Sequence, residues 1–176
     1  MGDFMMNIES PTDLTEYRNS ASEKARLGDL MSLLPDGKHD TVLDVGARDG
    51  FISRLLTTHF STVTALDLEQ PLIEHDSIRC VKGDITALQF DDASFDLVFC
   101  AEVLEHIPTR LLGTACRELA RVSNDYVLIG VPYKQDIRVG RSTCGACGGF
   151  NPPWGHVNRF DDARLGELFP GFTVTR

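Results

Sequence analysis

"VLDVGARDG", residues 42–50, is the stretch on which the reading of this chain turns. A short apolar run carries one acid, Asp44, and stops at Gly46. Glycine lets the backbone turn sharply and approach a ligand closely. "FISRLLTTHF" follows with helical character, so the stretch reads as a strand, a glycine turn and a helix opening near Gly50. A helix opening there would present N–H groups to a carboxylate or a phosphate.

Working outward, the same alternation repeats. "TVTALD" (62–67), "SIRCVKGD" (77–84), "FDLVFC" (95–100) and "DYVLIGVP" (125–132) are further short apolar runs. "EVLEHI" and "TRLLGTACRELARVS" supply helix between the last two. This spacing predicts βαβ units, and so an α/β fold: a Rossmann-like, doubly wound, mostly parallel sheet with helices on both faces. "GFTVT" (171–175) reads as a sixth strand. Sheets of this kind take ligands at the carboxyl ends of their strands, near the switch point. Residues 44–50, 67–68, 83–85 and 100–106 are therefore where function is sought. Asp67 ends the second strand, where a carboxylate can accept hydrogen bonds from both ribose hydroxyls.

Upstream, "SPTD" (10–13) has the form of a helix start, with Ser10 as N-cap, Pro11 next and Asp13 in the first turn. Leu14, Tyr17, Ala21, Ala25, Met31 and Leu34 make a rough apolar stripe for one helix. Residues 133–160 form a long glycine-rich connection, the kind that serves as a lid or binding loop. The expected organisation is one domain over 1–176. It comprises an N-terminal helical region (1–39), a core (40–132), a Cys/Gly-rich loop or lid (133–160) and a terminal helix and strand (161–176).

The totals narrow the function. The formal net charge of −9 repels phosphate backbones and argues against a nucleic-acid partner. No apolar run approaches the roughly 20 residues of a membrane span. The N-terminal residues have no basic stretch followed by an apolar one, so no signal peptide is read. Cys80, Cys100 and Cys116 fall in apolar runs and read as buried thiols rather than a disulfide framework, which suits a reducing cytoplasm.

Taken together, the motifs resemble those of the class I S-adenosylmethionine-dependent methyltransferases, of the type 11 or quinone O-methyltransferase kind. "VLDVGARDG" resembles the family's first motif and "ALDLE" (65–69) its ribose-binding acid. "VKGDITALQFDDASFDLVFCAEVLEHI" (81–107) resembles the adenine-binding and fourth-strand motifs, and "RELARVSNDYVLIGVP" (117–132) the fifth-strand signature. The resemblance implies S-adenosylmethionine as cofactor and methyl transfer to a small-molecule acceptor. It places Asp44, Gly46, Ala47 and Gly50 at the methionine end, Asp67 on the ribose and Leu68 against adenine. Asp84 would meet the adenine amino group, Ile85 the other ring face, and Ala101 and Glu102 the sulfonium. Two departures stand out. Arg48, within the same cofactor turn, occupies a place often held by glycine; if that place needs positive φ, arginine costs about 1 to 2 kcal/mol there, and the alternative is a relaxed turn with Arg48 pointing outward. The family's sheet also has seven strands, more than are countable here.

"EVLEHI" brings Glu102, Glu105 and His106 within reach of one another on a helical turn. His106 is a candidate general base, with Glu105 beside it. The string also resembles a divalent-metal motif of some quinone O-methyltransferases and of the small-RNA 2′-O-methyltransferases, in which a later histidine, comparable to His156, completes the site. The plain alternative is packing by Val103, Leu104 and Ile107. "CGACGGFNPPWGH" (144–156) offers Cys144, Cys147 and His156, three ligands that suit zinc. Tyr133, Phe150 and Trp154 make the same loop a candidate acceptor pocket. Two further readings are open: a metal-assisted RNA 2′-O-methyltransferase, and a cofactor-binding or zinc-stabilised interaction domain without turnover.

Overall fold

The computed structural model describes residues 15–37 and 39–175. The chain forms two compact units, residues 1–34 and 35–176. In the first, α1 (Thr15–Asn19) and α2 (Ala21–Ser32) replace the single helix expected from the stripe. The break is at Ser20, whose backbone is extended and whose side chain accepts the Glu23 N–H at 3.2 Å, capping α2. The helix buries Glu23, Leu27 and Leu30, while Ala21 and Ala25 are exposed. Arg26 makes that burial tolerable, because its guanidinium grips both Glu23 oxygens at 2.6 and 2.8 Å. The proposed start at Ser10, Pro11 and Asp13, and Leu14 with it, lies outside the described residues.

The second unit is built on five parallel strands: β1 (His39–Val45), β2 (Phe60–Asp67), β3 (Ile78–Lys82), β4 (Phe95–Ala101) and β5 (Ser123–Gly130). Their order is β3-β2-β1-β4-β5, a Rossmann-like α/β arrangement. From β1 the chain steps one way to β2 and β3, then crosses back to β4 and β5. The switch point therefore lies between β1 and β4. These two central strands are near-continuous buried runs, Val42–Val45 and Leu97–Cys100, as expected when both faces of a sheet are covered.

α3 (Phe51–Leu56) links β1 to β2, and α4 (Thr109–Val122) links β4 to β5. Leu112, Ala115, Cys116, Leu119 and Val122 recur at helical spacing on α4 and are buried in one cluster with Leu43, Val98, Phe160 and Leu168. From α4, Arg121 reaches the Leu88 and Phe90 carbonyls, and Glu118 accepts the Leu88 N–H. These bonds hold the loop that carries Asp84 and Ile85.

Beyond β5 come a two-stranded hairpin of β6 (Ser142–Thr143) and β7 (Phe150–Asn151), a turn of 3-10 helix at Pro153–Gly155, and α5 (Asp162–Leu168). The sixth strand expected at 171–175 does not form. The Phe172 N–H bonds the Phe169 carbonyl at 3.1 Å and the two rings meet edge-on, so the segment turns back beside α5. No helix among the described residues is long and apolar enough to cross a membrane.

Candidate functional site

The site grows from the turn after β1. The Gly46 and Ala47 N–H groups both donate to the Leu66 carbonyl, at 2.8 and 3.1 Å, tying the turn to the end of β2. The backbone then runs through positive φ at Gly46 (83°), Arg48 (49°) and Gly50 (76°). A Cβ at Gly46 would collide with the Val103 side chain, and one at Gly50 with Ile73. Arg48 is therefore a non-glycine residue in the left-handed region, and the tight form of the turn is the one present. Its N–H donates to Asp67 Oδ2 at 2.9 Å, which fixes the carboxylate at the strand end.

Between β1 and β4 lies a cleft of about 400 Å³. Of the residues expected at the cofactor, Gly46, Arg48, Asp67, Leu68, Asp84, Ile85 and Glu102 line it, and His106 joins them. Asp44, Ala47, Gly50 and Ala101 do not. Asp44 is buried beneath the turn, bonded to the Ser53 hydroxyl at 2.5 Å. Burial pushes its pKa up to about 7, against the Ser53 bond, which lowers it; the charge of Asp67 adds to the rise. Asp84 accepts the Thr86 N–H and hydroxyl at 2.8 and 2.7 Å, a local turn that sets its side chain. Val103, Ile107, Pro108 and Leu111 supply an apolar wall. Pro108 and Leu111 were not anticipated, although a proline just ahead of an amphipathic run is a readable helix boundary.

"EVLEHI" is not the helix expected. α4 starts only at Thr109, after Pro108. Glu102 sits at φ 58° with its N–H on the Gly130 carbonyl, and the residues after it make successive three-residue turns. As a result Glu105 is fully buried while Glu102 and His106 face the cleft.

His156 comes back to this turn from the far side of the 133–160 segment. Its ring meets that of His106 edge-on with centroids 4.8 Å apart, and its Nδ1 bonds Gln135 Oε1 at 2.6 Å. Burial holds its pKa below the ordinary value, the His106 charge lowers it further, and Glu102 opposes both. Glu105, His106 and His156 bring one potential ligand atom each within 4.8 Å of one another. Cys144 and Cys147 do not join His156 in such a group. They lie in the β6–β7 hairpin, while His156 is turned to His106. Tyr133, Phe150 and Trp154 are exposed and do not line the cleft.

One residue that no pattern announced ties this region together. The Asn158 amide donates to the Leu104 and Ile107 carbonyls at 2.8 and 2.6 Å, and its oxygen accepts the Thr109 hydroxyl at 3.0 Å. The Val157 and Asn158 N–H groups also share the Glu105 carbonyl, at 2.8 and 3.3 Å.

Known proteins resemble this arrangement. A family model described as a methyltransferase domain matches residues 43–125. A ubiquinone biosynthesis O-methyltransferase of Coxiella burnetii is 37% identical over 81 residues, covering 41% of this chain and 34% of that protein. The 27-O-demethylrifamycin SV methyltransferase of Amycolatopsis mediterranei is 32% identical over 105 residues, 53% of this chain and 38% of that one. The chain thus spans about a third of the length of the curated relatives it matches. Among solved structures, the N-methyltransferase NodS of Bradyrhizobium japonicum with S-adenosyl-L-homocysteine superposes with a TM-score of 0.66. It is 21% identical and covers 91% of this chain and 79% of its own. With the β1 turn and the switch-point cleft established, these matches make the chain similar to methyltransferases, in sequence over residues 43–125 and in fold over most of its length.

Proposed function

We propose that the chain transfers a methyl group from S-adenosylmethionine to a small-molecule acceptor. The observation that carries this is the cleft itself, in which the glycine turn, Asp67, Asp84 and Glu102 converge on one switch point. The residues present fit the cofactor. Gly46 leaves room for close backbone approach, Asp67 stands ready for the ribose hydroxyls, and Ile85 and Leu68 offer apolar faces for a purine. The cofactor supplies a methyl group on a positively charged sulfur. The chain's own work is positioning and exclusion of water, with the Val103, Ile107 and Leu111 wall shielding one side. Calorimetric titration tests this. Asp67→Ala should weaken binding of S-adenosylmethionine by about one to two decades, the loss of charge-assisted hydrogen bonds. Unchanged affinity would sink the ribose assignment.

His106 faces the cleft, where an imidazole can remove a proton from an acceptor hydroxyl. A second reading is favoured by the cluster of Glu105, His106 and His156. Two imidazoles and a carboxylate fit a borderline divalent ion, zinc among them. Such an ion would polarise an acceptor oxygen. Metal analysis of His106→Ala and His156→Ala separates the two. Metal in the wild type that vanishes in both variants supports a ligand role. A metal-free wild type whose turnover falls by roughly 10² in His106→Ala supports the base. The net charge of −9 weighs against an RNA substrate in either case.

A further inference from the structure

The C-x-x-C of the β6–β7 hairpin takes no part in the cleft, yet it is shaped as a ligand turn. The Cys144 N–H bonds the Gly149 carbonyl at 2.8 Å and the Gly148 N–H bonds the Cys144 carbonyl at 2.9 Å, so the backbone loops tightly around the pair. Gly148 takes positive φ, 69°, which lets the chain leave the loop without a clash. We propose that this turn is half of a tetrahedral zinc site, completed by the same turn of a second copy of the chain.

Among the described residues the other half is absent. Every cysteine and histidine of the sequence falls among the described residues. Cys80, Cys100 and Cys116 belong to β3, β4 and α4, and His156 is turned to His106 and Gln135. No third ligand atom gathers with the pair among the described residues. Zinc in a structural site takes four ligands, and thiolates favour it. Two identical two-thiolate turns meeting across a two-fold axis supply four and close the assembly.

The surroundings suit that approach. Nothing lies within 4 Å of the space that a Cβ would occupy at Gly145 or Gly148, so a second turn can come close. Val139, Phe150 and Trp154 flank the hairpin at 70%, 75% and 77% exposure, large apolar side chains that an interface would cover. Arg141 lies on the same segment, and its charge offsets part of the negative charge of a four-thiolate ion. Coordination exchanges one proton from each of four thiols for one Zn²⁺, with no change of oxidation state.

The test is zinc titration of the whole chain, kept reduced, followed by sedimentation velocity. About one zinc per two chains in excess of what the Cys144→Ser, Cys147→Ser variant takes up, with conversion of monomer to dimer and reversal by chelator, is expected. Co²⁺ in place of zinc should give the charge-transfer and d–d bands of a tetrahedral four-thiolate site. Cys144→Ser with Cys147→Ser should lose both the metal and the dimer while binding S-adenosyl-L-homocysteine as the wild type does. Uptake by a monomer of one zinc per chain that is lost in the double variant would overturn the proposal. So would no uptake by the reduced protein, or a zinc-dependent dimer that survives the double substitution.

Discussion

The cleft end of the sheet and the 133–160 segment sit against each other at the Glu102–His106 turn, but they are held by different means. At the cleft, position is set by backbone: parallel register from β1 to β4, a turn through three residues of positive φ, and N–H groups doubled on the Leu66 carbonyl. In 133–160, position is set by a few side chains and one bridge, with Asn158, His156 and the Tyr133–Phe160 pairing carrying most of it. The lesson is about where substitutions act. A side chain added at Gly46 or Gly50 meets both a positive φ and the Val103 or Ile73 side chain. A side chain removed from the second releases a segment with few other anchors.

The sharpest way to break the comparison is Gly46→Val. It adds bulk where even a Cβ collides with Val103, and a β-branched residue at φ 83°. Binding of S-adenosyl-L-homocysteine should fall below detection by calorimetry, roughly two decades or more, with the circular dichroism of the sheet retained. Measurable binding near the wild-type affinity would mean that the turn is more pliant than its geometry.

The next effect is electrostatic. Asp44 is raised to about 7 by burial, with the Ser53 bond opposing. Unfolded, it ionises near the ordinary carboxylate value. The native state therefore holds the proton more tightly, and the stability this contributes is complete below about pH 4 and is lost as pH rises through about 7. Asp44→Asn should remove that slope. Across this window the stability of the wild type should fall relative to the variant by up to about 4 kcal/mol, read from denaturant unfolding at stepped pH. Parallel curves would contradict the burial argument.

Asn158→Ala sharpens the other side. Leu104 and Ile107 would lose a buried donor and Thr109 an acceptor, at a cost of about 2 to 3 kcal/mol. Limited proteolysis should then cut within 133–160 sooner than in the wild type, while β1 to β4 stay protected. Equal protection of both regions would show that the segment is held by something besides this amide.

How much of this was legible follows the same division. The strands, their parallel sense and the cleft could be read, because alternation and glycine turns are properties of consecutive residues. The tight turn could be read down to its strain: Arg48 was flagged for a positive φ that it does adopt, at 49°. "EVLEHI" misled because apolar and acidic spacing suits a helix, whereas Pro108 and the Glu102 bond to Gly130 impose a turn. α2 misled in a similar way, since a buried Glu23 is legible only once Arg26 is seen to grip it. Asn158 and Gln135 left no trace, because a single amide reaching a partner 21 or more residues away has no period to find. His156 was singled out, but as a partner of cysteines. Its placement against His106 depends on tertiary bonds alone.

The Asn158 amide has a thermodynamic consequence. It joins the Leu104 and Ile107 carbonyls, within and just after the Glu102–His106 turn, to a segment that begins after β5 and returns at Phe160. Order in the segment and geometry in the turn are then one equilibrium. Any ligand that favours the turn as it stands must favour the ordered segment by the same factor, and whatever orders the segment must raise that ligand's affinity equally. The cleft and the segment exchange free energy through this carboxamide and its neighbouring contacts, in both directions and in equal amount.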